Sequence, residues 1–380
     1  WGGLSAVFDD RKEEWSQEYQ ELKGLLSESE YKEARSSTLN AFYTPPTVIK
    51  AMYQILENMG LSTGNVLEPS CGVGNFMGLV PESMQNIQMY GVELDPISGK
   101  IAGQLYQKNR IEVKGFEKTE YPESFFDCVI GNVPFGNYQV SDRKYDKYSL
   151  MIHDYFIVKS LDLIRPGGVV AVITSSRTMD KESEKVRLQF AEKADLLGAI
   201  RLPENAFRKN AGTDVVSDIL FFQKRDRAVL QKPSWVEVGE TEEGYKINSY
   251  FVEHPEMVLG DFALESNQYG RMEVTVKPRK ETSLEEQLKA VIPFIQGQIT
   301  VREFDALDLN ETEDSILADP SVKNFSFAKV GEQVYYRENS RMNRMDLPAV
   351  TTERVIGMIE IRDITRKLID SQMEDAGEEE

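Results

Sequence analysis

Apolar and polar positions along this chain recur with two periods, and each change of period marks out an element. Between residues 1 and 40, Trp15, Tyr19, Leu22 and Leu26 stand at helical spacing among charges, which predicts a helical arm. Val48, Ile49, Met52, Ile55, Leu56 and Met59 fall on one face of a further helix, with Thr44 its expected N-cap and Pro45 in its first turn. Short β-like runs and helices then alternate. Residues 65–67, 89–95, 111–114 and 126–129 read as strands, while Tyr155, Phe156, Val158, Leu161, Leu163 and Ile164 outline a buried helix that stops at 165–168. Residues 169–175 form an unbroken apolar run of the buried-strand type, and 197–203 and 215–223 are expected to complete the sheet. Alternation from 65 to 175 predicts an α/β fold built on a doubly wound, Rossmann-like parallel sheet.

The pattern changes at about residue 228 to acidic, turn-rich sequence. Within it, 284–299 has helical spacing, 325–337 reads as a hairpin turning at Val330-Gly331-Glu332, and 355–373 is amphipathic. The expected organisation is therefore a helical arm over 1–40, the main sheet domain over 41–227, and a smaller α+β region over 228–380 that serves as a target-recognition or connector domain.

Charge narrows the choice of partners. The net charge of -19 argues against indiscriminate nucleic-acid binding, which rests on Lys and Arg. Residues 231–380 carry 31 acidic against 17 basic side chains, whereas 1–230 carry 32 against 27, so a DNA-facing surface is expected in the first part. The densest basic stretch is Arg177, Lys181, Lys185, Arg187, Lys193, Arg201, Arg208 and Lys209, which reads equally as a solvated face or as phosphate contacts. Cys71 and Cys128 cannot make a disulfide framework, and His153 and His254 do not make a metal-ligand cluster. No apolar run reaches membrane-spanning length and no signal peptide opens the chain, so a reducing cytoplasm is the expected location, with no membrane or metal partner. The chain opens at Trp1 and closes on Glu378-Glu379-Glu380, which suggests a piece of a longer protein.

Candidate chemistry gathers at strand ends. Asn132-Val133-Pro134-Phe135 follows the run 126–131, at the carboxyl end of a central strand, where open α/β sheets bind ligands. A side-chain amide beside a rigid proline and a flat ring suits a planar amino group, the amide oxygen accepting from the amine while Phe135 stacks on its face. Earlier, Glu68-Pro69-Ser70-Cys71-Gly72-Val73-Gly74 runs from a strand into a glycine turn, in which Gly72 and Gly74 let the backbone approach a ligand. Glu93, about 20 residues on, is placed to accept from ribose hydroxyls. The acidic Glu68 suits a cation better than a pyrophosphate, which favours S-adenosylmethionine, with its sulfonium and ammonium groups, over a dinucleotide. At the third strand tip, Phe116 is a candidate to pack on the cofactor adenine with Glu117 accepting from its amino group, although a core Phe beside a solvated Glu fits equally. Phe207 either stacks on an extruded base or anchors its loop.

The ordered set Tyr43-Thr44-Pro45-Pro46, Leu67 to Phe76, Gly91-Val92-Glu93-Leu94-Asp95 and Gly131 to Phe135 resembles the S-adenosylmethionine-dependent adenine-N6 DNA methyltransferases of the gamma type. Trp1-Gly2-Gly3, Ile152 to Phe156, Ile200 to Pro203, His254 to Met257 and Tyr335 to Asn339 extend the likeness to the methylase region of methylase-helicase fusions of phages and conjugative elements. The resemblance implies DNA as substrate and a covalently linked helicase as partner. It assigns Asn132, Val133, Pro134 and Phe135 to catalysis and Phe135 and Phe207 to stacking on the target base. It assigns Thr44 with its neighbours Tyr43 and Pro45, Glu93 and Phe116 to the cofactor, and Glu68, Ser70, Gly72, Gly74, Leu94 and Glu117 complete the candidate cofactor-binding set. Two positions depart from the family pattern: Val133 stands where Pro is usual, and Gly115 where Asp is usual. Two other functions stay open on the residues alone, a degenerate DNA-binding module and a protein glutamine N5-methyltransferase.

Overall fold

The computed structural model describes residues 4–38, 43–84, 86–207, 215–230, 232–266, 272–300, 314–319, 322, 326–338 and 341–375. Two compact units emerge, Trp1–Thr119 with Phe126–Arg302, and Glu120–Phe125 with Glu303–Glu380.

The first unit opens with helices α1 (Ser16–Leu25) and α2 (Glu28–Ser37). The start of α2 is fixed by a capping box in which Ser27 and Glu30 satisfy each other's backbone amides. Trp15, Leu22, Leu26 and Tyr31 close over a small core of Val7, Phe8 and Ala34, joined by Ile97. The arm is thereby docked on the main domain. Helix α3 (Pro46–Asn58) follows, buried along Val48, Ile49, Met52, Ile55 and Leu56. It begins one residue later than expected: Pro45 is the N-cap and Pro46 the first helical residue, since a proline needs no amide partner there. Thr44 is left free of capping and is buried.

Seven strands make the central sheet: β1 (Thr63–Glu68), β2 (Asn86–Glu93), β3 (Arg110–Val113), β4 (Phe126–Asn132), β5 (Ile164–Ser175), β6 (Ala194–Leu202) and β7 (Ser217–Lys224). Their order is β3-β2-β1-β4-β5-β7-β6. The first five are parallel neighbours, while β7 runs antiparallel to both β5 and β6. The sheet is thus Rossmann-like over its first five strands and mixed at its far edge. Helices α4 (Asn75–Gly78), α5 (Pro96–Leu105) and α6 (Ile152–Leu163) lie in the crossovers. Val169 to Ile173 of β5 are wholly buried, as an apolar run covered on both faces should be. The break expected at 165–168 does not separate α6 from β5. It is absorbed within β5 as an irregularity in the pairing with β4, with Gly167 in the left-handed region at φ 75°.

Sequence after residue 227 does not form a single body apart, because the stretch up to Arg302 belongs to the first unit. The Leu259 amide donates to the Arg201 carbonyl, that of Ile299 to Met59, and Arg165 reaches the Thr300 carbonyl at 2.5 Å. The division near 302 therefore replaces the expected boundary at 227. In the second unit, strands Ser315–Leu317, Arg341–Arg344, Gln333–Glu338 and Phe327–Val330 form an antiparallel sheet beside the helix Ala349–Asp375. Its hairpin turns through Gly331 and Glu332 as the sequence predicts. The Arg337 guanidinium is buried over the Phe125 ring at 4.3 Å.

The basic stretch divides by burial. Arg177, Lys181 and Lys185 are exposed, whereas Arg187 is buried against the Val236 and Thr178 carbonyls and Lys193 pairs with Asp162. Arg201 is also a structural residue, held in the core between Asp218, its cross-strand partner, and Asp180 at 2.8 Å each, with its cation 4.2 Å from the Phe251 ring. Arg208 and Lys209 lie outside the described residues. Because Arg201→Met leaves the Asp218 carboxylate buried without its cation, urea denaturation should show a loss of about 3–5 kcal/mol. Asp218→Leu in the same chain should restore much of it.

Candidate active site

Strand order reverses between β1 and β4, and the crossovers leave those neighbours in opposite directions, so a crevice opens at their carboxyl ends. A cavity of about 400 Å³ occupies it. The turn after β1 supplies Glu68, Ser70 and Gly72; the end of β2, Glu93 and Leu94; the tip of β3, Phe116 and Glu117; the end of β4, Asn132, Val133 and Pro134; and the segment before α3, Tyr43 and Thr44. Twelve of the residues singled out from the sequence are thereby brought to one lining. Pro45, Gly74, Phe135 and Phe207 are not part of it. Phe135 is half-buried just beyond Pro134. Phe207 ends a short 3-10 helix with its ring packed inside, 2% exposed, so the structure does not present it to a base at the cavity.

The glycine turn has a local cause. Gly72 and Gly74 adopt φ 54° and 85°, which side chains disfavour. A Cβ at Gly74 or Gly78 would also strike the Tyr106 side chain. The turn is pinned through a carboxylate: Gly72 N–H donates to Glu93 Oε2 at 2.7 Å and Asp95 N–H to Oε1 at 2.8 Å. Ser70 Oγ donates to the Asn132 carbonyl at 2.6 Å, tying the end of β1 to that of β4, and the Val133 amide donates to Ile173 at 3.0 Å. The backbone of the amide motif is therefore held from both neighbouring strands.

Glu68 is 2% exposed, and its Oε2 has no hydrogen-bond partner among the described residues. Burial, reinforced by Glu93, pushes its carboxyl well above the usual range. Burial also raises Glu93, against the pull of its backbone donors. The buried Glu68 and the half-buried Glu93, with no side-chain cation paired to either among the described residues, make this end of the cavity receptive to a positive group. The other end is apolar, formed by Leu94, which is 73% exposed, with Phe116 and Phe156 at a centroid distance of 4.8 Å. At Gly115 the expected acidic side chain is absent, and the Glu117 carboxylate folds back into the space its Cβ would occupy.

Several lining residues escaped sequence reasoning. Tyr138 and Val140 come from an irregular loop after the amide motif, and Ile152 and Phe156 from α6, where periodicity marks Phe156 only as core. His153, beside Asp154 at 3.6 Å, is buried away from this lining; burial, with Lys181 and Arg177, pushes its pKa down to about 4, leaving a neutral structural imidazole. Among the described residues, no group of His, Cys, Asp and Glu is arranged to hold a metal ion, and no helix is long and apolar enough to cross a membrane.

The raised carboxyl of Glu68 has a measurable consequence. The folded ligand-free protein keeps a proton there that the unfolded chain releases at ordinary carboxylate pH. Between that pH and the raised pKa the folded state binds more protons, so this group's contribution to stability falls as pH rises. In urea denaturation at about pH 5 to 8, Glu68→Gln should gain on the parent protein with rising pH. A difference independent of pH would contradict the assignment.

The model of the N-6 DNA methylase family matches residues 25–250. The chain is 33% identical over 201 residues to the Defense against restriction protein B of Escherichia phage P1, covering 51% of this chain and 9% of that protein. It is 34% identical over 94 residues to the Type II methyltransferase M.CvrRI of Paramecium bursaria Chlorella virus XZ-6E, covering 25% and 24%. With the Modification methylase CviBIII of Paramecium bursaria Chlorella virus NC1A it shares 25% identity over 148 residues, covering 37% and 39%. The matches thus take in well under half of each relative's length.

Proposed function

Since the chain belongs to the N-6 DNA methylase family, we propose that it transfers a methyl group from S-adenosylmethionine to N6 of adenine in DNA. The observation that carries this reading is the end of β4: Asn132, Val133 and Pro134 form one wall of a cavity whose other walls carry Glu68, Glu93 and Phe116. The residues suit the cofactor. The Glu68 carboxyl, whose Oε2 has no partner among the described residues, matches a cationic group beside which it ionises, Glu93 keeps lone pairs for ribose hydroxyls, and Leu94 and Phe116 offer apolar surface to adenine. Glu117, folded over Gly115, takes the place of the missing acidic acceptor for the adenine amino group. When bound, S-adenosylmethionine supplies a methyl group made electrophilic by the adjoining sulfonium.

The rest of the chemistry falls to this chain. The adenine amino nitrogen is a poor nucleophile because its lone pair is delocalised into the ring. The Asn132 side-chain oxygen and the Val133 carbonyl accept its two hydrogens, draw it toward tetrahedral geometry and stabilise the positive charge that develops on it. Val133 serves as well as a proline here, because the group required is a backbone carbonyl, and the Val133 amide is already committed to Ile173. Phe135, outside the cofactor cavity, stacks on the extruded base and favours the developing charge through its π face. Arg177, Lys181 and Lys185, the exposed cations among the described residues of the basic stretch, contact phosphates. The resemblance to methylase-helicase fusions, and the small share of the phage relative that is matched, support a role as the methylase module of a larger mobile-element protein with a linked helicase.

Asn132→Ala should lower turnover by about a hundredfold or more while leaving S-adenosylmethionine affinity within about threefold. Initial rates on unmethylated DNA beside equilibrium dialysis of the labelled cofactor check this. Unchanged turnover in the variant would remove Asn132 from the reaction.

A further inference from the structure

Lys159 lies inside α6, beneath the cavity and outside its lining, and it is 5% exposed. Burying an ammonium is costly unless each of its protons finds an acceptor. This one has three: the Phe116 carbonyl at 2.7 Å, Asp142 Oδ2 at 3.0 Å and the Tyr155 hydroxyl at 3.2 Å. Its charge also stands 4.8 Å from the Phe116 ring centroid and 5.7 Å from that of Tyr155. Burial lowers its pKa and Asp142 opposes the shift.

Two of these acceptors, Phe116 and Asp142, lie outside α6 on separate parts of the chain. Phe116 stands at the tip of β3 and forms an apolar wall of the cavity. Asp142 organises the irregular loop that follows the amide motif: its carboxylate accepts from Tyr155 Oη at 2.6 Å and from Lys144 N–H at 3.2 Å, and its own amide donates to Asp146 at 2.8 Å. That same loop carries Tyr138 and Val140 into the cavity, and the Ile152 amide donates to the Tyr138 carbonyl at 3.0 Å. One cation therefore spans two walls that no regular hydrogen-bond ladder connects.

We propose that Lys159 is a positioning residue which fixes the Phe116 wall and the Tyr138–Asp142 loop relative to each other, and thereby sets the affinity of the cavity for the adenosine end of its cofactor. This rests on the reading of the cavity as an S-adenosylmethionine site. Lys159 touches neither ligand nor reacting atoms. Its loss weakens binding of the adenosine moiety and leaves the chemistry at Asn132 unchanged.

The test compares the parent chain with Lys159→Met, which keeps the length and apolar bulk of the stem. Calorimetry with adenosine and with S-adenosylhomocysteine should show both dissociation constants rising about tenfold or more, the effect of losing one buried charge-assisted contact. The turnover number at saturating cofactor and the KM for DNA should stay within about threefold. Asp142→Asn, which removes the charge and keeps the loop's polar partner, should raise the same constants by a smaller factor. A purely structural lysine would lower the melting temperature and leave those constants unchanged, and that result overturns the proposal. If Lys159→Met does not fold, Asp142→Asn decides: a raised adenosine constant supports the proposal and an unchanged one overturns it. Failure of the parent chain to bind S-adenosylhomocysteine would overturn the cofactor reading itself, a result distinct from equal binding by parent and variant.

Discussion

The candidate site depends on the parallel pairing of β1 with β4. Val66 aligns with Cys128 and Leu67 with Val129, so the two strands end side by side while their connections depart in opposite directions. That register brings Glu68 and Ser70 beside the end of β4 and lets the Ser70 hydroxyl reach the Asn132 carbonyl. A slip of one residue would turn Asn132 to the other face of the sheet. β1 is buried from Asn65 to Glu68 and β4 from Phe126 to Gly131, so such a slip would also turn core side chains out of place.

Two chemical environments meet in that crevice. Toward the glycine turn, Glu68 is buried and Glu93 half-buried with no side-chain cation paired to either among the described residues, and the raised pKa of Glu68 costs the ligand-free fold stability as pH rises. Toward β3, aromatic and aliphatic surfaces converge, and Leu94 remains largely exposed. A ligand carrying a positive charge at one end and a flat apolar ring at the other satisfies both, and binding energy offsets what the empty cavity costs. Stability given up at a site for the sake of its ligand is a common trade in enzymes. The buried lysine behind Phe116 belongs to the same arrangement, since the aromatic end must hold its shape without a strand to brace it.

Much of this was legible in the amino-acid order because it is encoded locally. The run into Asn132, the turn through Gly72 and Gly74, and the acid at Glu93 each combine a strand with the residues that end it, and three adjacent parallel strands bring such ends together. The first five strands were legible for the same reason. The antiparallel course of β7 was not, because apolar period alone carries no direction. Tyr138, Val140 and Phe156 reach the cavity through long-range packing, and nothing in their immediate neighbours distinguishes them from loop and core residues. Composition misplaced the boundary at 227 because acidic, turn-rich sequence can still belong to the sheet's own unit, as residues 232–266 and 272–300 do. It also could not sort Arg177 from Arg201, one exposed and one buried between two aspartates. Phe207 illustrates the same limit, since an aromatic in a loop-like stretch reads alike whether its ring faces solvent or core.

The central claim is that the amide at the end of β4 presents an adenine amino group to the cofactor cavity. Nucleoside analysis of unmethylated DNA after incubation with the chain and S-adenosylmethionine tests it most directly. The account predicts N6-methyladenine as the methylated product. Label found in cytosine, or in protein and never in DNA, would contradict it.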